Sequence, residues 1–242
     1  MEKERIKIHK LIAKRGYCST RKAEELIAKG VVNVDNEPAH IGQLVSFDCD
    51  IEIDGNKISN DVVEDVYIVH NKKKGVECSK KVITRSYVSI FDEVPKHPSL
   101  QYVGRLDAQT TGLLILTTNG AVANTIIHPS SNISKTYEVE LNRELRGKDK
   151  KQLIEEGVEI DNSLSFIQSI KAVNTKSQSF VYKIIIKEGK KHIIRRMFQS
   201  CGYRVVNLKR IGIGNFYLDD TILPLGSYQY ISKEELLNKI FN

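Results

Sequence analysis

The chain has 242 residues, 40% hydrophobic and 28% charged, with a net charge of +7. This balance excludes a disordered chain and fits one large domain, or a small domain joined to a medium one. The charged opening MEKERIKIHK lacks an apolar signal-peptide core. No apolar run approaches the roughly 20 residues that cross a bilayer, so a soluble cytoplasmic protein without a membrane partner is expected. Cys18, Cys49, Cys78 and Cys201 form no CxxC pair and have no His at metal-ligand spacing, which predicts reduced thiols, no disulfide framework and no metal site.

Charge is segregated along the chain: residues 1–30 carry a net +5, residues 31–65 a net −8, and residues 66–242 a net +10. Two basic regions flanking an acidic one suggest two polyanion-binding surfaces. Ile8, Leu11 and Ile12 recur at helical spacing, and Ala23, Leu26 and Ile27 repeat the pattern after a break at Gly16. The second helix has Ser19 or Thr20 as its cap and Gly30 as its stop. Lys10 and Lys14 fall off the first apolar stripe. Arg21 and Lys22 lie in the first turn of the second helix, where cations oppose the helix dipole unless a phosphate takes the site. VVNVDNEPAH reads as a strand and turn, and CDIEIDG as a half-buried strand.

The stretch IHKLIAKRGYCSTRKAEELIAKGVVNVDNEPAHIGQLVSFDCDIEIDG resembles the S-four-type RNA-binding domain, an αL fold. The resemblance places such a domain at residues 1–58 and implies RNA binding by its basic helical pair. The polar, acidic SNDVVED of residues 59–65 suits a linker. From residue 66 to 242 strands such as VYIVH and FVYKIIIKE alternate with a few helices. The expected class is α+β, with a mainly antiparallel sheet and flanking helices.

Three segments of this second part carry candidate chemistry. In VGRLDAQTTGLLILTTNG, residues 103–120, GLLILTT is a buried strand ending at the turn signal Asn119-Gly120. Arg105 and Asp107 sit on the loop leading into it, where a rigid scaffold presents functional groups. In HPSSNISKTYEVEL, Lys135 and Tyr137 share one strand face, an arrangement suited to stacking on a base beside a phosphate. In KEGKKHIIRRMFQSCGYRVVNLKRIGIG, a helix begins near His192 behind Gly189, Lys190 and Lys191, a physically sound phosphate site. Arg195 and Arg196 lie on either side of its apolar stripe, and periodicity does not choose between them.

These three segments, in this order and behind an S-four-type domain, resemble the RNA pseudouridine synthases of the branch called RsuA, RluB, RluE and RluF. The resemblance implies that Asp107 is the catalytic carboxylate and that Arg105 enters the RNA stack as the target uridine flips out. It further implies that Tyr137 stacks on the uracil, that Arg195 pairs with Asp107, and that Leu208 lines the uracil pocket with Lys209 close by. Where the family has Asn-Lys-Pro-x-Gly this chain reads NKKKG, so Lys73 replaces a proline and the loop loses a fixed φ.

The implied reaction isomerises uridine without net redox change, so no cofactor is expected. The implied partner is ribosomal RNA. The wording of the segments leans to the RluB type and large-subunit RNA, with small-subunit RNA or a non-catalytic assembly factor as alternatives. A two-carboxylate glycosidase would need a second acid near Asp107, and residues 96–137 hold no other Asp or Glu. Nothing in the pattern implies an oligomer, so a monomer is expected.

Overall fold

The computed structural model describes residues 4–80, 86–173 and 179–242. Its chain divides into two compact units, Met1–Val66 with Lys96–Gln101, and Tyr67–Pro95 with Tyr102–Asn242. In the first unit, β1 (Arg5–Lys7) leads into α1 (Ile8–Lys14) and α2 (Thr20–Ala28). The short strands β2 (Val32–Val34), β3 (Glu37–Pro38), β4 (Leu44–Ser46), β5 (Ile51–Ile53) and β6 (Asn56–Lys57) follow. They pair as an antiparallel sheet in the order β3-β2-β5-β6 and as a separate β1–β4 ribbon.

The helical stripes close the core of this unit, where Ile8, Leu11, Ile12, Ala23 and Ile27 pack with Val32, Val34, Ile51 and Ile53. Ser19 is the cap of α2, accepting from the Lys22 amide at 3.3 Å, and Gly30 turns the chain at φ +71° beyond its end. Arg15 is buried and donates to the carbonyls of Phe47 and Cys49 at 2.9 and 2.7 Å, so this cation serves the fold. Lys10, Lys14, Arg21 and Lys22 remain exposed, with Lys22 paired to Glu25 at 3.3 Å. The segment expected as a linker, 59–65, has no helix or strand, and Val63 donates its amide to the Lys14 carbonyl at 2.9 Å.

The second unit is built on a sheet of nine strands among the described residues. Its main members are β7 (Tyr67–Lys72), β8 (Thr111–Thr117), β9 (Lys135–Leu141), β10 (Ser169–Ala172), β11 (Phe180–Ile186), β12 (Val205–Ile213) and β13 (Tyr228–Tyr230). They run in the order β10-β11-β9-β12-β8-β7-β13 and are antiparallel except for β8 and β12. Helices α3 (Gly120–Ile127), α4 (Ile193–Ser200) and α5 (Lys233–Phe241) cover it. Two apolar clusters result, one of α4 with β9, β11 and β12, the other of α3 and α5 with β7 and β8.

The Asn119-Gly120 turn signal has a different outcome from the one expected. Asn119 caps α3, accepting from the Val122 amide at 3.0 Å. Asn serves turns and helix N-caps through the same side-chain acceptor, so the dipeptide does not separate them.

The parallel contact of β8 with β12 is short, pairing Thr111 with Lys209 and Gly112 with Arg210. Gly112 is at φ +101°, and a β-carbon there would lie 2.2 Å from the Arg210 carbonyl oxygen. Only glycine permits that approach. Gly112→Ala is expected to lower stability by about 3 kcal/mol or more through clash and backbone strain, read from the urea unfolding midpoint.

Strand β7 is buried along its whole length, with His70, Asn71 and Lys72 fully buried. His70 Nε2 stands 3.4 Å from Glu93 Oε2. Burial pushes the imidazole pKa down to about 4, against the upward pull of Glu93. The unfolded chain takes up this proton below about 6.5, whereas the folded chain resists until about 4, so stability falls as pH drops through that window. The full loss from this group is about 3 kcal/mol. His70→Gln should therefore lose about that much less stability than wild type between pH 6.5 and 4, by urea unfolding at each pH.

Candidate active site

A cavity of about 850 Å3 opens where the two apolar clusters of the second unit meet. Ile126, Ile133 and Ile213 contribute from one cluster and Ile193, Ile194 and Leu208 from the other. Asp107 reaches it from a tight turn closed by the Thr110 amide on the Asp107 carbonyl at 2.9 Å. The turn is fastened from behind, since Leu106 is buried and its amide points at Cys78 Sγ, 3.5 Å away. Arg105 is exposed on the same wall.

Strands β9 and β12 form the facing wall. Lys135 and Tyr137 both line the cavity, as their spacing of two requires. On β12 the same alternation brings in Leu208 and Arg210 and leaves Lys209 out. Lys209 instead makes a close ion pair with Asp220, which also accepts from Asn71 Nδ2 at 2.9 Å. The structure thus brings Leu208 to the site and does not bring Lys209 there.

Arg210 is a residue that the sequence reading missed. It is buried, pairs across the sheet with Tyr137, and donates from Nε to the Leu113 carbonyl at 2.8 Å. Its Nη2 has no hydrogen-bond partner among the described residues. Lys72 is a second buried cation, donating to the carbonyls of Lys73 and Val76 at 3.1 and 2.7 Å. Burial pushes its pKa down to about 8, while Cys78, Glu93 and Asp107 pull it up. The period-two pattern of NLKRIGIG could have revealed Arg210 beside Leu208; nothing local marks Lys72 within its lysine run.

The residue facing Asp107 also differs from expectation. Arg195 lines the cavity, but its guanidinium donates to the carbonyls of Val205 and Gln109 at 3.0 and 3.3 Å. The partner of the carboxylate is His192, with Nε2 3.1 Å from Asp107 Oδ1. The cause is local: His192 is the left-handed residue (φ +54°) just before α4, so the chain turns there and brings the imidazole to the Asp107 turn. Arg195, a turn further on, meets backbone carbonyls and fastens α4 to that loop.

The expected phosphate site before α4 is divided. Lys190 donates to the Ile160 carbonyl and the Ser163 and Ser165 hydroxyls at 3.1, 2.7 and 2.8 Å, with Glu188 at 3.3 Å. Its charge is built into the hairpin of residues 158–165, while Lys191 is exposed. Lys135 donates to the Lys187 carbonyl at 3.3 Å, and burial, with Arg210 adding to it, lowers its pKa. The cavity lining as a whole has seven Lys and Arg side chains against the carboxylates of Asp107 and Glu188. Such a surplus draws in a polyanion and suits a phosphodiester backbone. Among the described residues no group of three or more His, Cys, Asp or Glu is placed to hold a metal ion.

The Asp107 carboxylate, a half-buried tyrosine and an apolar wall in a cationic cavity on a mainly antiparallel sheet suit a nucleic-acid base-modifying site. The family pattern described as RNA pseudouridylate synthase matches residues 66–200, more than half of the chain. The chain belongs to that family. It is 32% identical over 213 residues to "Ribosomal large subunit pseudouridine synthase B" of Bacillus subtilis, covering 84% of each chain. It is 30% identical over 236 residues to the protein of the same name from Vibrio vulnificus, covering 95% of this chain and 73% of that one. A solved structure described as pseudouridylate synthase matches with a TM-score of 0.64 at 26% identity, over 97% of this chain and 99% of the other.

The two neighbouring lysines separate fold from binding. Lys191→Met should leave the urea midpoint unchanged, weaken RNA binding and reduce the slope of log K against log salt by about 1. Lys190→Met should lower stability by about 1–2 kcal/mol, because it leaves hairpin acceptors unpaired. Filter binding over a salt series and urea unfolding would check both.

Proposed function

We propose that this chain isomerises a uridine of large-subunit ribosomal RNA to pseudouridine, with Asp107 as the catalytic carboxylate. The observation that carries the reading is the placement of Asp107 in the cavity with Tyr137 and Leu208, a carboxylate beside a slot of base-binding character. In the reaction the N1–C1′ bond breaks, the uracil turns, a C5–C1′ bond forms, C5 loses its proton and N1 gains one. One ionised carboxylate is the group this requires, and no redox partner enters the balance.

The target must first leave its stack, which costs a few kcal/mol. Arg105, exposed at the cavity wall, fills the vacated place in the RNA, and Tyr137 stacks on the flipped uracil. Leu208 packs against the base and Arg195 holds the Gln109 carbonyl of the Asp107 turn. Lys135 and Lys191 take backbone phosphates at the rim. The substrate is rRNA, free or in an assembling particle, and the protein acts as a cytoplasmic monomer. Support for the large subunit comes from the relatives, which are named ribosomal large subunit pseudouridine synthases.

Residues 1–58 form, on this reading, an S-four-type RNA-binding domain, with Lys10, Lys14, Arg21 and Lys22 as its phosphate contacts. Its support is the pair of packed helices with four exposed cations.

Pseudouridine mapping by primer extension on carbodiimide-treated rRNA tests the reading. Cells lacking the protein should lose a single stop in large-subunit RNA. Wild type should restore it, and Asp107→Asn should not, its turnover falling at least about 10,000-fold. A stop lost from small-subunit RNA would move the target, and no lost stop would overturn the rRNA assignment.

A further inference from the structure

Seven non-glycine residues among those described hold a positive φ, and six of them are Asn or Asp. The seventh is His192, at φ +54°. Asn, Asp and His enter the left-handed region more readily than other side chains, Asn and Asp through short polar groups that hydrogen-bond locally. His192 makes no side-chain hydrogen bond to the helix that it precedes. The partner that its ring does have is Asp107 Oδ1, 3.1 Å from Nε2. A left-handed residue whose ring leaves its own helix uncapped and meets one carboxylate on another loop points to function rather than folding.

The surroundings of Asp107 make that contact consequential. Its side chain is 39% exposed on a loop, so packing does not hold it. The arginine nearest in the helix is engaged with two carbonyls, and Lys190 is engaged with the hairpin. The imidazole of His192, with Nε2 3.1 Å from Oδ1, is the side chain that meets the carboxylate directly.

We propose that His192 is the positioning residue of Asp107: its Nε2–H holds Oδ1 and turns Oδ2 toward the substrate. The proposal rests on Asp107 as the reacting carboxylate. Misplacing a reacting group by about 1 Å costs on the order of 100-fold in rate, and the RNA is bound by other residues. Loss of the imidazole therefore acts on kcat and spares KM.

Four variants assayed on rRNA from cells lacking the protein test this. His192→Gln places an amide N–H about where Nε2 stands, and His192→Asn places one about where Nδ1 stands. His192→Gly removes the ring and also the left-handed penalty. His192→Ala and His192→Asn should lose about 10- to 100-fold in kcat with KM within about twofold. His192→Gln should recover most of the loss. His192→Gly should melt no lower than wild type yet turn over as slowly as Ala, a separation that a purely structural histidine would not give. Wild-type kcat in Ala or Asn, a change confined to KM, or a Gln variant no better than Asn would overturn the proposal. Absence of turnover in wild type itself would instead overturn the reading of the function.

Discussion

The structure depends on the two-residue parallel contact between β8 and β12. Antiparallel neighbours surround it, and it is where the strand leaving the Asp107 turn meets the strand bearing Leu208 and Arg210. The distance is set by Gly112, whose missing β-carbon leaves room for the Arg210 backbone. Because Arg210 also pairs with Tyr137 on β9, this one approach fixes three chain segments relative to each other. A carboxylate from one loop, an aromatic from β9 and an apolar wall from β12 then face one cavity. No single segment contains enough of that site to act.

The electrostatics follow from the same layering. Lys72 and Arg210 are both buried, Arg210 in the cavity lining itself, and each donates to backbone carbonyls. Buried cations without paired carboxylates are unfavourable unless their protons are hydrogen-bonded. Carbonyl donation satisfies Lys72 in part, and burial still lowers its pKa to about 8. Asp107 therefore has buried cations near it, His192 beside it and a cationic rim in front. That arrangement favours an incoming phosphodiester at the site of the carboxylate.

Much of this was legible in the sequence, and the failures have physical causes. Period-two alternation placed Lys135 with Tyr137, and the short apolar run gave the buried strand β8. The helical stripe gave α4 to within a residue. Side-chain partners within α4 and the segment before it were not legible. Lys190, Lys191, His192 and Arg195 span six positions and have separate partners: a hairpin, solvent, a carboxylate and two carbonyls. What separates them is one left-handed residue, and histidine, although enriched in that conformation, adopts it too seldom for the residue type to mark it. Lys209 was grouped with Leu208 by proximity in sequence, although neighbours on a strand face opposite ways.

Lys73 shows how a departure from the family pattern is absorbed. A proline there would fix φ by covalent geometry, independent of salt and pH. Here the loop is held through the Lys73 ammonium on Glu93 Oε1 at 2.7 Å, and the other oxygen of the same carboxylate faces buried His70. The expected loosening is thus met by a charge tie, and Lys72, one residue back, keeps its bond to the Val76 carbonyl. The exchange changes the kind of constraint. One carboxylate, with Lys73 on one oxygen and His70 on the other, serves both contacts. A turn that covalent geometry would hold by itself is in this chain held through a side-chain contact to one shared carboxylate.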